Sequence, residues 1–214
     1  MKPLRNLLAV AAAAVFCASA TSASAQDPDN LVVNGGFEDV TFAPEWNLND
    51  PSGNTIVAAN FGSFTGAHEG SRYAYLATEF EPAVGSFSTL SQTISTTPGG
   101  TYTFSFALAN DNDQTTPTGV EDFRAFFNNV QLTLTLPQRN APYTEFTFPG
   151  LIATDFDTQI RFEYRHDNDG FRLDAVSVVP EPSTVSLLAM SVGGGLVFLY
   201  RRSRRNGHQP AARS

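Results

Sequence analysis

From Thr101 to Leu108 the chain alternates without a break, with Tyr102, Phe104, Phe106 and Leu108 on one side and Thr101, Thr103 and Ser105 on the other. Successive side chains of a strand point to opposite faces. Such a run can bury one face and wet the other only as a half-covered β-strand. This constrains the fold more than any other feature, because the rest of the body repeats the pattern.

Leu31-Val32-Val33 reads as a first strand, ended by the turn Asn34-Gly35-Gly36. Further strands are expected at Thr55 to Ala59, at Tyr73 to Leu76, and from Phe87 to Ile94, closed by Thr97-Pro98-Gly99-Gly100. Val130, Leu132, Leu134 and Leu136 alternate up to Pro137; Phe146 and Phe148 do so briefly. Ile160, Phe162 and Tyr164 alternate with Arg161, Glu163 and Arg165, and Phe171 to Val179 closes the body. No amphipathic helix and no internal repeat interrupts the series. Short alternating strands separated by Gly, Pro, Asn and Asp turns predict an all-β fold, an antiparallel two-sheet sandwich of the jelly-roll type. The first and last strands are expected to lie close together. Asn110 to Gly119 and Pro137 to Pro142 are expected as loops.

The two ends of the chain differ from this body. Lys2 and Arg5 precede an apolar run from Leu7 to Ala18, and small residues follow, ending in Ala23-Ser24-Ala25. That is the pattern of a secretory signal peptide, residues 1–25, cut after Ala25. The one cysteine, Cys17, lies inside it and follows Phe16, where a lipid-attachment signal needs a small residue. The body, 26–179, is therefore free of cysteine and must be stabilised by its core rather than by disulfides. Between Gln26 and Pro182 stand 21 acidic residues against six arginines and no lysine, a net −15 with histidines neutral. Such a surface repels nucleic acid and anionic lipid and favours cations, among them extracellular calcium.

At the other end Pro180-Glu181-Pro182 precedes 18 uncharged residues, 183–200, and then Arg201, Arg202, Arg204 and Arg205 within a basic stop, 201–205. Eighteen apolar residues are just long enough to span a bilayer as a helix. The arginines would hold its end, and the tail 206–214, in the cytoplasm. The order of short motif, apolar span and basic stop over 180–205 resembles the PEP-CTERM sorting signal of Gram-negative bacteria. The resemblance implies a single transmembrane helix and passage through the inner membrane with transient anchoring there. It also implies an exosortase-type membrane protease as partner, and release to the cell surface or extracellular matrix.

A second resemblance spans the body. Asn30-Leu31-Val32-Val33-Asn34-Gly35-Gly36-Phe37-Glu38, then Trp46, then Gly66-Ala67-His68-Glu69-Gly70-Ser71, then Pro98-Gly99-Gly100-Thr101-Tyr102-Thr103-Phe104, then Phe171-Arg172-Leu173-Asp174-Ala175-Val176 occur in order. Together they resemble galactose-binding-like jelly rolls, which include several families of carbohydrate-binding module. The family's closing motif carries a second polar group where this chain has Ala175. The resemblance implies a structural calcium (Ca2+) between Glu38 and Asp174, which would need carbonyl and water oxygens besides, since calcium takes 6–8. The alternative is that Glu38 caps a turn and Asp174 pairs with an arginine. Asp167-Asn168-Asp169-Gly170 and Asp111-Asn112-Asp113 resemble calcium loops in part. Neither has the glutamate that completes an EF-hand loop, and both suit tight turns.

For ligand binding, Trp46, Phe61 and Phe64 are the candidate sugar-facing aromatics, with core packing as the alternative for each. Phe123, Phe126 and Phe127 are expected to pack beneath loops. Catalysis finds no motif: there is no nucleophile elbow, no zinc helix and no phosphate loop. His68-Glu69 are adjacent and would point apart on a strand. The expectation is therefore a non-enzymatic surface or matrix protein that binds or structures extracellular polysaccharide. The alternatives are a purely structural surface protein and, more remotely, a secreted glycoside hydrolase.

Overall fold

The computed structural model describes residues 29–59, 66–78, 87–112 and 119–182. The signal peptide, the 183–200 span and the basic stop lie outside these residues, as do Phe61 and Phe64. In chain order the strands are β1 (Asn47–Asn49), β2 (Ile56–Ala59), β3 (Arg72–Ala77), β4 (Ser88–Ser95), β5 (Thr101–Asp111), β6 (Glu121–Phe127), β7 (Val130–Leu132), β8 (Thr144–Ile152), β9 (Asp157–His166) and β10 (Gly170–Pro180). No helix occurs among the described residues.

The strands form two five-stranded antiparallel sheets, β1-β4-β9-β6-β7 and β2-β3-β10-β5-β8. Their inner faces carry the alternating apolar residues anticipated from the pattern. β5 contributes Tyr102, Phe104, Phe106 and Leu108, and β9 contributes Ile160, Phe162 and Tyr164, all buried. Rings from the two sheets interlock. Phe106 meets Phe162 edge-on at 5.2 Å between centroids, and Phe104 lies 5.8 Å from the same ring. Offset and edge-on contacts of this kind suit the quadrupoles of aromatic rings.

β10 obeys the alternation only with a correction. Phe171 and Leu173 point inward, and so do Val176 and Val178. The parity changes because the register to β5 shifts between Asp174 and Ser177. Ala175 takes a left-handed φ of 50° there. An extra residue in one strand is a β-bulge, and bulges bend a strand and re-aim its side chains.

Several elements differ from expectation: β1 has no counterpart in the sequence pattern, and β7 stops at Leu132, short of Leu134 and Leu136. Leu31–Val33 forms no ladder; the segment lies along β10 through Leu31 N–H donating to the Val178 carbonyl (2.9 Å) and Val176 N–H donating to that of Gly35 (2.9 Å). The first and last segments of the body thus do meet. Conversely, β6 is a full strand, so Phe123 and Phe127 are core residues of a sheet rather than packing beneath loops. β5 also runs on to Asp111, past the expected loop start at Asn110.

Candidate functional site

The segment after the expected first strand turns sharply at Asn34 and Phe37, both with positive φ. It presses against the β10 bulge so closely that a Cβ on Gly35 would sit 2.0 Å from the Val176 carbonyl oxygen. This contact brings Glu38 and Asp174 to one loop, residues 66–72, where each does a separate task. Asp174 Oδ2 accepts from the backbone N–H of His68 (2.7 Å) and Glu69 (3.0 Å), and Oδ1 accepts from Ala175 N–H (2.7 Å). Glu38 Oε1 accepts from Ser71 N–H (2.7 Å) and Arg72 N–H (3.0 Å), and Oε2 from the Ser71 hydroxyl (2.8 Å). Gly70, at φ 63°, leaves room for this carboxylate; a Cβ there would stand 2.2 Å from Oε1. Asp174 is fully buried. Burial pushes its carboxyl up to about 6 against the opposing pull of the three N–H donors. The hydrogen bonds from Ser71 and Arg72 hold the Glu38 carboxyl below its ordinary value, although its partial burial acts the other way.

This donor set does not fit a calcium ion. A carboxylate offers about four lone-pair sites; three on each of these carboxylates already accept from N–H or O–H. Calcium would need a shell of oxygens in their place. The turn-capping role weighed for Glu38 is the one described, and Asp174 pairs with loop N–H groups, not with a cation. The other two acidic turns are likewise engaged: Asp111 with Arg172 (2.7 Å), Asp167 with Arg165 (2.7 Å), and Asp169 with the Tyr75 hydroxyl.

Trp46 is not a sugar platform. It is 2% exposed, its indole N–H donates to the Asn34 carbonyl (3.1 Å), and its ring packs on Phe37 (5.4 Å) and Phe162 (6.3 Å). An indole in a dry core needs one acceptor, and the turn at Asn34 supplies it.

The outer face of the β1-β4-β9-β6-β7 sheet carries what the sequence did not single out. Register places two rows abreast across four strands. One runs Arg124, Glu163, Thr89, Asn49; the other runs Phe126, Arg161, Ser91, Asn47. Asp122 and Arg165 form a third pair beside them. The Arg124 guanidinium lies 4.1 Å from the Phe87 ring centroid and that of Arg161 lies 4.1 Å from Phe126. Arg124 bonds Asp122 (2.6 Å) and approaches Glu163 (3.8 Å), and Arg161 also pairs with Glu163. Three of the body's six arginines thus occupy one sheet face in an otherwise acidic body. The alternation of Arg161, Glu163 and Arg165 with apolar residues was readable on β9; the partners across the sheet were not.

The outer face of the second sheet holds a groove of about 640 Å³ at the β10 bulge. The 30–39 segment walls one side, and His68, Glu69 and Glu145 line it as well. His68 Nε2 lies 3.3 Å from Glu145 Oε1, while its ring meets Tyr143 edge-on at 5.3 Å. Elsewhere on this face Arg172, 2% exposed, is bound to Asp111 and lies 4.9 Å from the Tyr143 ring centroid.

The body ends at Pro180-Glu181-Pro182, and the first two residues continue the sheet. Pro180 is in register with Tyr102, and Glu181 N–H donates to the Thr101 carbonyl (2.8 Å). Glu181 Oε1 accepts from the Thr103 hydroxyl and from Gly150 N–H, both 2.8 Å. Those two bonds lower its carboxyl below the ordinary value.

No family model matches the chain, and no curated protein matches it in sequence. Solved structures do. A carbohydrate-binding module, TmCBM61 in complex with beta-1,4-galactotriose, aligns over 71% of this chain and 99% of its own at 17% identity and a TM-score of 0.54. A CBM4 structure aligns over 70% and 99% at 21% identity and a TM-score of 0.47. The CBM22-1 xylan-binding domain from Paenibacillus barcinonensis Xyn10C aligns over 68% and 91% at 10% identity and a TM-score of 0.44. At these identities the likeness is one of fold, and the fold is the jelly-roll sandwich expected from the strand pattern.

Proposed function

We propose that this domain is an exported, non-catalytic carbohydrate-binding module that holds extracellular polysaccharide on the outer face of the β1-β4-β9-β6-β7 sheet. The observation that carries the proposal is the pair of side-chain rows across that face. Each row combines a guanidinium with polar neighbours, Asn49 and Thr89 in one, the exposed Asn47 beside the buried Ser91 in the other. Sugar rings need donors and acceptors along their edges and flat groups on their apolar faces. Guanidinium groups already seated over phenyl rings are held in place, so little side-chain freedom is lost when a glycan settles on them. The shared fold with a module that binds a galactotriose supports the reading as an analogy.

The test is retention of the purified full-length protein on immobilised neutral polysaccharides, galactan and xylan first. Arg161→Ala and Asn49→Ala are each expected to weaken retention about fivefold to tenfold at a temperature where both variants are fully folded, since each removes one or two polar contacts. Retention on no polysaccharide, or retention that ignores both substitutions, would overturn the proposal and favour a structural role without a sugar site.

The export half of the reading rests on the ends of the chain. Pro180-Glu181-Pro182 leaves the sandwich where the body stops, immediately before the uncharged run and the arginines. In this proposal the protein passes the inner membrane, is anchored transiently by 183–200, and is released by an exosortase-type protease to the cell surface or matrix. Replacing Pro180, Glu181 and Pro182 together by alanine should leave uncut precursor in the inner-membrane fraction, seen as a larger band on an immunoblot. Normal release of that variant would sink the sorting reading.

A further inference from the structure

We propose that the groove at the β10 bulge is a second glycan subsite, on the opposite sheet, selective for sugars carrying free amines. The inference rests on the carbohydrate-binding reading but concerns different residues and a different ligand chemistry.

The floor of the groove is a row of hydroxyls. Ser177 on β10 is in register with Ser105 on β5, and Ser105 with Thr147 on β8. Neighbouring strands lie about 4.8 Å apart, so the three hydroxyls span roughly 10 Å in a line across the strands. Their spacing is comparable to the advance per ring along an extended glycan. Among the described residues none of the three hydroxyls is bonded to another protein group, and all three line the groove. Ala107, opposite both Asp174 and Glu145, keeps the adjoining row low and leaves depth beside the hydroxyls. Two buried groups on the walls, Asn34 Nδ2 and His68 Nδ1, have no hydrogen-bond partner. Buried polar atoms are rarely left unmatched, so these two mark unmet hydrogen-bonding capacity in the walls of the groove. The volume is that of an ordinary small-ligand site and suits a short run of sugar rings.

The charge of the walls selects among sugars. Glu38, Asp39, Glu69 and Glu145 line the groove, and no arginine or lysine does. The opposite sheet carries Arg124, Arg161 and Arg165 on its outer face. There each guanidinium is paired with a carboxylate, Asp122, Glu163 or Asp167, whereas the groove holds carboxylates without an arginine. Glu38 is committed to the 71–72 backbone; Glu145 meets His68 through Oε1 alone, its side chain is 74% exposed, and it stands on the strand of Thr147, two residues away on the same face. An ammonium group on a sugar seated over Thr147 would lie within reach of that carboxylate. Acetylation of the amine removes the charge and adds bulk, so the groove discriminates between glucosamine and its N-acetyl form.

The test is calorimetric titration of the purified full-length protein with a glucosamine trimer, with the N-acetylated trimer and a neutral galactotriose as comparisons. The glucosamine trimer should bind, and the N-acetylated trimer about tenfold more weakly, the loss of one charge-assisted contact. Glu145→Gln and Thr147→Val should each weaken glucosamine binding about fivefold to tenfold. Added salt should weaken it further, and Arg161→Ala should leave it unchanged. Thr147→Val keeps shape and strand preference, so a loss there is not a folding defect. Equal affinity for the two trimers, no binding of the glucosamine trimer, or binding that ignores both groove variants would overturn the proposal. Galactotriose binding that Arg161→Ala abolishes, alongside no glucosamine binding, would remove this subsite and keep the glycan face. Glucosamine binding that the groove variants abolish, with no neutral glycan bound, would do the reverse.

Discussion

Phe162→Ala is expected to cost about 4 kcal/mol, within the usual range for deleting a buried phenylalanine. The ring is fully buried and is shared by both sheets. It touches Phe104 and Phe106 of the second sheet, Phe123 of its own sheet, and Trp46 from the segment that closes the sandwich end. Removing it leaves four aromatic neighbours facing a void that rigid rings cannot fill by small shifts. Domains of this size have only about 5–15 kcal/mol in total, so a large part of the stability would go. Urea unfolding should show a lowered midpoint with an unchanged slope. Phe162→Leu, which keeps most of the volume, should cost about 1–2 kcal/mol. A loss below about 1 kcal/mol for the alanine variant would mean that the inter-sheet core does not depend on this ring.

The second large effect is at Asp174. Asp174→Ala leaves the N–H groups of His68, Glu69 and Ala175 without their acceptor. The expected cost near neutral pH is about 3 kcal/mol, since stranded buried donors lose their full hydration. Asp174→Asn keeps a carbonyl for the 68–69 pair but turns its amide toward Ala175 N–H, so it should cost less, about 1 kcal/mol. A chelator should change neither variant's deficit, because the donor set holds no place for calcium.

The pH dependence gives a sharper signature. Burial raises the Asp174 carboxyl to about 6 from 3.8. Between those values the folded state binds the proton that the unfolded state has released, so this group's contribution to stability falls as pH rises through the window. His166 acts the other way. It is fully buried, it accepts from Asp169 N–H at Nδ1 (3.0 Å), and its Nε2–H reaches Asn110 Oδ1 (3.1 Å). Burial lowers it to about 4 from 6.5, so stability is lost as pH falls through that window. In the wild type the two slopes oppose each other between about pH 4 and 6. Asp174→Asn removes one of them, and its unfolding midpoint should drop steeply on acidification while the wild type changes little. Parallel pH profiles would refute the opposition.

The parts of the fold that were legible are those with an unbroken period. β5 and β9 each place three or four large apolar residues on one side, and both appear as expected. β6 is hidden in the sequence because Phe126 and Phe127 stand side by side, which breaks the alternation; Phe126 is on the outer face, roofed by the Arg161 guanidinium. β1 has only Leu48 as an apolar residue and is defined by its pairing to β4. Leu31 to Val33 reads as a strand by composition, yet Val33 gives both its backbone groups to the Gln92 side chain instead of to a neighbouring strand. The meeting of Glu38 and Asp174 at one loop was readable from the two motifs, but not the chemistry there. Which oxygens meet N–H groups depends on the path of residues 68–72, and no local pattern encodes it. The arginine rows and the hydroxyl row depend on register between strands distant in sequence. Their members, Ser91, Ser105, Thr147 and Asn49 among them, look like ordinary outward strand residues when read one at a time.

The place where the chain leaves the sandwich has a mechanical consequence. β10 lies between β3 and β5, in the middle of its sheet, and Glu181 adds three bonds beyond its last pair. In the transiently anchored form of the proposal, with polysaccharide gripping a sheet face, tension would enter along the axis of that strand. The ladder bonds run across the strand, so they are loaded in shear and must rupture together rather than one after another as in peeling. A domain hung by a central strand resists a steady pull better than one hung by an edge, and the three contacts of Glu181 would be the first to feel the load.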